Sequence, residues 1–329
     1  MKNIFKVNII EKFSPFNDDS GAMGIAQTLT KDHDLKGRVF AITGTTLGSL
    51  GYETAKALLA QNAEVILLNR SADKMEATVE ELIKHQPKER KGRLHPIVCD
   101  LSMQQSVHQA VKKIKAILTK LELPLDCLIC SAGRYFKEKH LSEDGFEMTM
   151  ATDHYGHFAL TLQLLSQIKD NGRVVILSSL NHTKVSNFPM DDLKFENESY
   201  NWQESHNRAK LANMMFAFQL NNELKAAGSN ILAYGVYPGA AKTNFAIEEG
   251  FILRNILKLL YWKYGSTPDV AAGTTIFSAL DLRLEGRRNL YLAQCGISDD
   301  TNPLLQDSNL LKEFFEHSLR LTNLKFPNL

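Results

Sequence analysis

The sequence predicts an α/β protein built on one doubly wound, mostly parallel sheet with helices on both faces. Three observations predict it. Apolar runs of strand length alternate with stretches of helical period from residue 39 almost to the C-terminus. The first run opens into three glycines, Gly44, Gly48 and Gly51, before a helical pattern begins at Tyr52. No linker-like segment and no internal repeat divides the alternation.

The elements follow in order. Residues 39–42 read as a buried parallel strand, since a strand covered on both faces is apolar throughout. Residues 64–69 (EVILLN) are the second strand, and Ser71 caps a helix that carries Met75, Val79, Leu82 and Ile83 on one face. The basic stretch 84–93 carries Pro and Gly without interleaved aromatics, which predicts a solvated loop rather than a nucleic-acid patch. Residues 94–99 form strand three. Ser102 and Gln105 have capping-box spacing for a helix with Val107, Val111, Ile114 and Leu118 inward. Residues 125–130 form strand four. A helix is expected over 145–168, strand five over 173–177, a long amphipathic helix over 204–227, and strand six over 231–236. Thr267-Pro268 opens another helix in cap-then-proline order. Residues 290–293 read as a seventh strand and 310–321 as a closing helix. Residues 1–36 lack a clear period and are expected to be an arm, packed on the domain or partly disordered; the domain itself is expected over 37–329.

Composition excludes several classes. Apolar residues make up 44% and charged residues 23%, as in an ordinary globular enzyme. The net charge of +1 gives no field favouring nucleic acid. No run has the length of a membrane span, and no signal peptide is read at the N-terminus. Four scattered cysteines do not make a disulfide framework, so an intracellular, cytoplasmic location is expected. Cys127 and Cys130 have CxxC spacing, but in a strand residues three apart face opposite ways. His154 and His157 have no apparent third ligand, which points to packing or a local hydrogen bond rather than metal.

The segment 38–55 (RVFAITGTTLGSLGYETA) carries the first functional signal. Strand, glycine loop and helix together place a pyrophosphate on a helix N-terminus, and a Cβ in the loop would hold the backbone away from it. With TGTTLGSLGYETAKAL, CDL at 99–101, PLDCLICSAG, HYGHFALTLQLL, RVVILSSLNH, HNRAKLANMMF and YPGAAKTN in order, the chain resembles the short-chain dehydrogenase/reductase family, in its retinol-dehydrogenase-like branch. The resemblance runs from about residue 34 to 291 and implies a Rossmann fold, a nicotinamide cofactor and carbonyl–alcohol interconversion.

Roles carried over by position follow from that resemblance. Gly44, Gly48 and Gly51 look like the diphosphate loop, Asp100 and Leu101 like the adenine contact, and Ser131, Ala132 and Gly133 like the ribose-lining segment. Thr243 is placed to bind the nicotinamide carboxamide. Strand two ends in Asn69-Arg70 without a carboxylate; Arg70 would pair with a 2′-phosphate, so NADP(H) is expected over NAD(H). Lys210 matches the family lysine, which also contacts the cofactor, and Ser179 the substrate-holding serine, with Ser178 as an alternative register.

The chain departs from the family where the chemistry is done. His206 stands at the tyrosine position and Asp153 at the asparagine position, and the glycine loop has one extra residue between Gly48 and Gly51. His206 and Lys210 share a helix face. Imidazole reaches roughly 2 Å less far than phenol, and the Lys210 charge disfavours imidazolium, leaving His206 neutral and a poor acid. Asp153 could pair with Lys210 and partly offset that effect. Tyr200 has the wrong helical offset to substitute. Two functions therefore fit: an NADP(H)-dependent oxidoreductase with an altered proton-transfer step, or a catalytically silent cofactor-binding or scaffold protein on the same fold. The apolar stretch 245–264 occupies the substrate-lid position. It suggests a small apolar substrate or peripheral membrane contact, with a plain core or homodimer helix as the alternative.

Overall fold

A computed structural model of the chain describes residues 7–17, 19–86, 93–241 and 265–329. Its strands are β1 (Ile9–Lys12), β2 (Val39–Thr43), β3 (Glu64–Asn69), β4 (Leu94–Val98), β5 (Leu125–Cys130), β6 (Ile168–Leu177), β7 (Leu232–Tyr237), β8 (Tyr291–Ala293) and β9 (Gly296–Ser298). They form one sheet in the order β1-β9-β8-β7-β6-β5-β2-β3-β4. All neighbours from β4 through β8 are parallel; β9 returns antiparallel on β8, and β1 antiparallel on β9. The strand that begins the glycine motif is central, with Phe40 opposite both Val65 of β3 and Cys127 of β5. The order in which strands are added reverses between β2 and β5, with β3 and β4 laid to one side and β5 to β8 to the other, and this is the switch point where such folds bind ligands.

Each central strand buries both faces. Val39 and Ala41 join a core with α4 (Gln104–Leu121), α6 (Gly156–Leu164), α7 (Trp202–Ala226) and α9 (Ser308–Leu321). Phe40 and Ile42 join the opposite core with α1 (Ala22–Leu29), α2 (Leu50–Ala60), α3 (Ala72–His85) and α8 (Pro268–Leu280). Cys130 lies in the first core and Cys127 in the second, so the CxxC spacing makes no pair. The N-terminal segment adds β1 to the sheet edge and α1 to the second face, where Asp269 of α8 accepts the Met23 N–H at 3.2 Å.

Caps at Ser71 and Thr267 form as expected, their side chains accepting from Lys74 and Val270 N–H. Two expectations are corrected. Ser102 does not cap α4: its hydroxyl donates to the Asp100 carboxylate at 2.7 Å, and Asp144 takes the Gln104 N–H at 2.8 Å instead. A serine two residues after an aspartate closes a local turn more readily than it waits for a helix. The helix expected over 145–168 is not one α-helix. It comprises α5 (Met148–Met150), a π turn (Ala151–Tyr155), α6 and a 3₁₀ turn (Leu165–Gln167), and Ile168 already belongs to β6. Among the described residues no helix is long and apolar enough to cross a membrane. Residues 87–92 of the basic stretch lie outside the described residues, as do Thr243 and the stretch 245–264.

Candidate active site

The glycine loop leaves the carboxyl end of β2. Gly44 has φ +72°, and a Cβ on it would stand 2.7 Å from Ala132 Cα. Gly51 lies inside the first turn of α2, where a Cβ would meet the Gly44 and Thr43 carbonyl oxygens at 2.7 and 2.9 Å. Gly48, at φ +76°, has open space where its Cβ would be. The extra residue is absorbed at the helix start: Ser49 becomes the cap, accepting from Tyr52 N–H at 3.1 Å and donating to the Gly44 carbonyl at 2.7 Å. The loop is tied down by Asn69 Nδ2, which donates to Thr46 Oγ1 at 2.9 Å. The N-terminus of α2 thus presents its partial positive charge at the sheet's carboxyl edge, beside Gly48, where a missing Cβ leaves open space.

The residues around that space have the chemistry for a dinucleotide. Arg70 is exposed at the end of β3. Asp100 Oδ1 accepts from the Ser102 N–H and hydroxyl, and no described residue donates to its Oδ2. Leu101 is buried against Gly156, where a Cβ would lie 2.2 Å from the Leu101 carbonyl oxygen. Ser131 and Ala132 donate their N–H groups to Thr43 Oγ1, at 2.9 and 3.0 Å. The buried Ser131 hydroxyl has no partner among the described residues. The glycine cradle and this orphaned hydroxyl fit a dinucleotide.

The reactive end lies on α7. His206 and Lys210 are 7% and 6% exposed, one turn apart. Lys210 Nζ donates to Asp153 Oδ2 at 2.7 Å, and Asp153 Oδ1 accepts the Arg134 N–H at 2.8 Å. Burial pushes the Asp153 carboxyl up, with Lys210 and the Arg134 N–H pulling against it. His206 is pushed down to about 3, first by burial, then by Lys210 and Lys184. Its neutrality, expected from the Lys210 charge, thus rests more on desolvation. Ser178 is committed elsewhere, donating to the Lys210 carbonyl at 2.8 Å. Ser179 is half-buried and, among the described residues, its side chain only accepts, from Asn181 N–H at 3.2 Å, so no described residue takes its proton. Ser179 is therefore the better placed of the two serines. Tyr200 donates to the Phe136 carbonyl at 2.6 Å and begins no part of α7.

Two aromatic residues escaped the sequence reading. Tyr135 stacks on Trp202 with ring centroids 4.7 Å apart and stands edge-on to His206 at 6.3 Å. Trp202 lies four residues before His206, a spacing that could have flagged it; Tyr135 follows Gly133 by two. His154 meets Ser318 Oγ at 3.0 Å within an aromatic cluster of Phe158, Phe216 and Phe314. Among the described residues no group of three His, Cys, Asp or Glu could hold a metal.

Comparison with known proteins gives the chain's family. The family model described as short chain dehydrogenase matches residues 38–190. A short-chain dehydrogenase TIC 32 B, chloroplastic, from Brassica napus is 30% identical over 311 residues, covering 92% of this chain and 94% of that protein. Human polyprenol dehydrogenase is 33% identical over 261 residues, 78% of this chain and 76% of that protein. The WW domain-containing oxidoreductase of Drosophila melanogaster is 30% identical over 267 residues, 80% of this chain and 63% of that protein. Among solved structures, an uncharacterised protein from Mycobacterium paratuberculosis aligns with TM-score 0.70 and 26% identity, over 89% of this chain and 96% of that one. A short chain dehydrogenase from Burkholderia cenocepacia in complex with NADP aligns with TM-score 0.60 and 20% identity, over 79% and 97%, a shared fold.

Proposed function

The chain belongs to the short-chain dehydrogenase family, and on that premise we propose that it is an NADP(H)-dependent oxidoreductase. It interconverts a carbonyl and an alcohol on an apolar substrate, with a neutral histidine where the family has its tyrosine. One observation carries the reading: the ribose-facing segment touches the lysine site. A Cβ on Gly133 would lie 3.1 Å from both Lys210 Nζ and Asp153 Oδ2.

In this reading Gly44, Gly48, Gly51 and the α2 N-terminus hold the diphosphate, and Arg70 pairs with the 2′-phosphate. Asp100 and Leu101 hold the adenine, Ser131 to Gly133 and Lys210 the ribose, and Thr243 the carboxamide. The bound dinucleotide supplies or accepts the hydride. Ser179 donates a hydrogen bond to the substrate oxygen. His206, neutral at pH 7, donates a second from its N–H, as neutral imidazoles do elsewhere, but carries no spare proton. Asp153 balances the Lys210 charge and no side chain here has a proton to give up, so the substrate oxygen takes its proton from solvent water, and that transfer is the slow event.

The Lys210–Asp153 pair also favours the second reading, a silent cofactor binder, because it removes the charge a proton donor would use. A cofactor titration followed by turnover of aldehydes, ketones and retinoids separates the two. Binding with turnover supports the oxidoreductase; binding without it leaves the silent protein; no binding at millimolar NADPH ends both.

A further inference from the structure

His157 has no part in that mechanism, yet it sits at the centre of a closed hydrogen-bond path. Thr43 Oγ1 accepts from two backbone N–H groups, those of Ser131 and Ala132. A hydroxyl has two acceptor sites and one proton, so this one must donate. Its near partner is His157 Nε2 at 2.8 Å; the Ile129 carbonyl is farther, at 3.5 Å. Nε2 is therefore bare, and Nδ1 carries the proton that it donates to the Asp153 carbonyl at 2.9 Å. That carbonyl belongs to the π turn, and the carboxylate of the same residue holds Lys210 and the Arg134 N–H. The imidazole is 1% exposed, and burial pushes it down to about 4, consistent with one fixed neutral tautomer.

We propose that His157 is a positioning residue that wires the end of β2 and the ribose-facing segment to the π turn, so that Lys210 keeps one spacing from the cofactor cradle. This rests on the reading of residues 131–133 as the ribose contact. The path runs from Ser131 and Ala132 through Thr43 and His157 to Asp153, and returns to the same segment through Arg134. Losing the imidazole would leave the Thr43 proton only the distant Ile129 carbonyl and would remove the side-chain bond to the Asp153 carbonyl, so Thr43 and the segment it holds would be cut from the π turn except through Arg134.

Two measurements test it. In the full chain with ¹⁵N-labelled histidine at neutral pH, the resonances lost in His157→Phe should show Nδ1 protonated and Nε2 bare. An Nε2–H tautomer, or an exchanging mixture, overturns the wiring; this measurement needs no cofactor. NADPH is then titrated calorimetrically into native protein, His157→Phe, Thr43→Ser, Lys210→Ala and the His157→Phe/Lys210→Ala double variant. His157→Phe should weaken binding about five- to tenfold, the worth of one hydrogen bond. Thr43→Ser, which keeps the hydroxyl, should bind as the native chain does. The double variant should bind about as Lys210→Ala does, because the two residues act on one spacing. Losses that simply add, or native affinity in His157→Phe, overturn the proposal. If His157→Phe does not fold, Thr43→Val breaks the same path, and native affinity there overturns it equally. Failure of the native chain to bind NADPH sinks the functional reading, while the nitrogen spectrum still decides the wiring.

Discussion

Restoring a phenol at position 206 is the sharpest test of how this site handles a proton. His206→Tyr places a donor one turn from Lys210 on a buried helix face. Burial makes phenols in this chain weak acids: Tyr200 and Tyr234 are each pushed up to about 12, first by burial, with nearby Glu147 and Glu285 adding to it. An ammonium about 5 Å away, at an effective dielectric of about 20, would favour phenolate by roughly 3 kcal/mol, or about two pKa units. Asp153 sits 2.7 Å from that ammonium and cancels most of the field. The single variant should therefore keep its phenol near that raised range, and adding Asp153→Asn should lower it by about two units. Since general acid catalysis is worth roughly 10²–10⁴-fold, the double variant should fall near the top of that range and His206→Tyr near the bottom.

The assay is NADPH consumption with an apolar ketone, followed across pH. The double variant should lose activity in the alkaline limb about two pH units before the single one. Identical rates and identical pH limbs for the two variants would show that Asp153 does not mask Lys210. If both are inert while NADPH binds, the missing proton donor was never the defect, and the silent reading stands. Tyr135, edge-on to His206, must yield room for the longer ring, so a modest fall in melting temperature is expected in either variant.

Other outcomes follow from the same geometry. Arg70→Ala should weaken NADPH far more than NADH in paired titrations; equal weakening, or tighter NADH binding by the native chain, counts against the 2′-phosphate contact. Gly51→Ala puts a methyl 2.7 Å from a backbone oxygen that cannot move cheaply, so both melting temperature and NADPH affinity should fall; an unchanged affinity would remove Gly51 from the cradle. Stability should drop steeply in mild acid. His154 and His206 are held down to about 3, and His157 and His182 to about 4, all by burial. The unfolded chain takes up these protons near pH 6.5 and the folded chain does not, so this stability is complete above 6.5 and is lost as pH falls toward 4. Each histidine contributes a slope approaching ~1.4 kcal/mol per pH unit, and four approach roughly 5, comparable to a whole domain's stability. Thermal melts that stay flat between about pH 7 and 5 would refute it.

The parallel sheet and its order of elements could be read from the chain because strands buried on both faces must be apolar throughout, whatever lies beside them. The glycine loop and the His206–Lys210 face were legible for a similar reason: turn geometry and helical spacing are local properties. What the sequence left undecided depends on residues far apart meeting. β1 is an edge strand with a mostly exposed pattern, and its partner β9 lies at the other end of the chain. The π turn widens one hydrogen-bonded ring without changing the apolar spacing that marks a helix. Ser178 and Ser179 are neighbours in sequence, and only the packing of α7 against β6 commits one hydroxyl to the Lys210 carbonyl. The charge on Lys210 was visible, but its cancellation by Asp153, 57 residues away, was settled by the fold. So was the main cause of His206's neutrality, expected from the Lys210 charge but owed first to burial: a side chain's charge state follows the water it loses, and only the tertiary structure decides which side chains lose it.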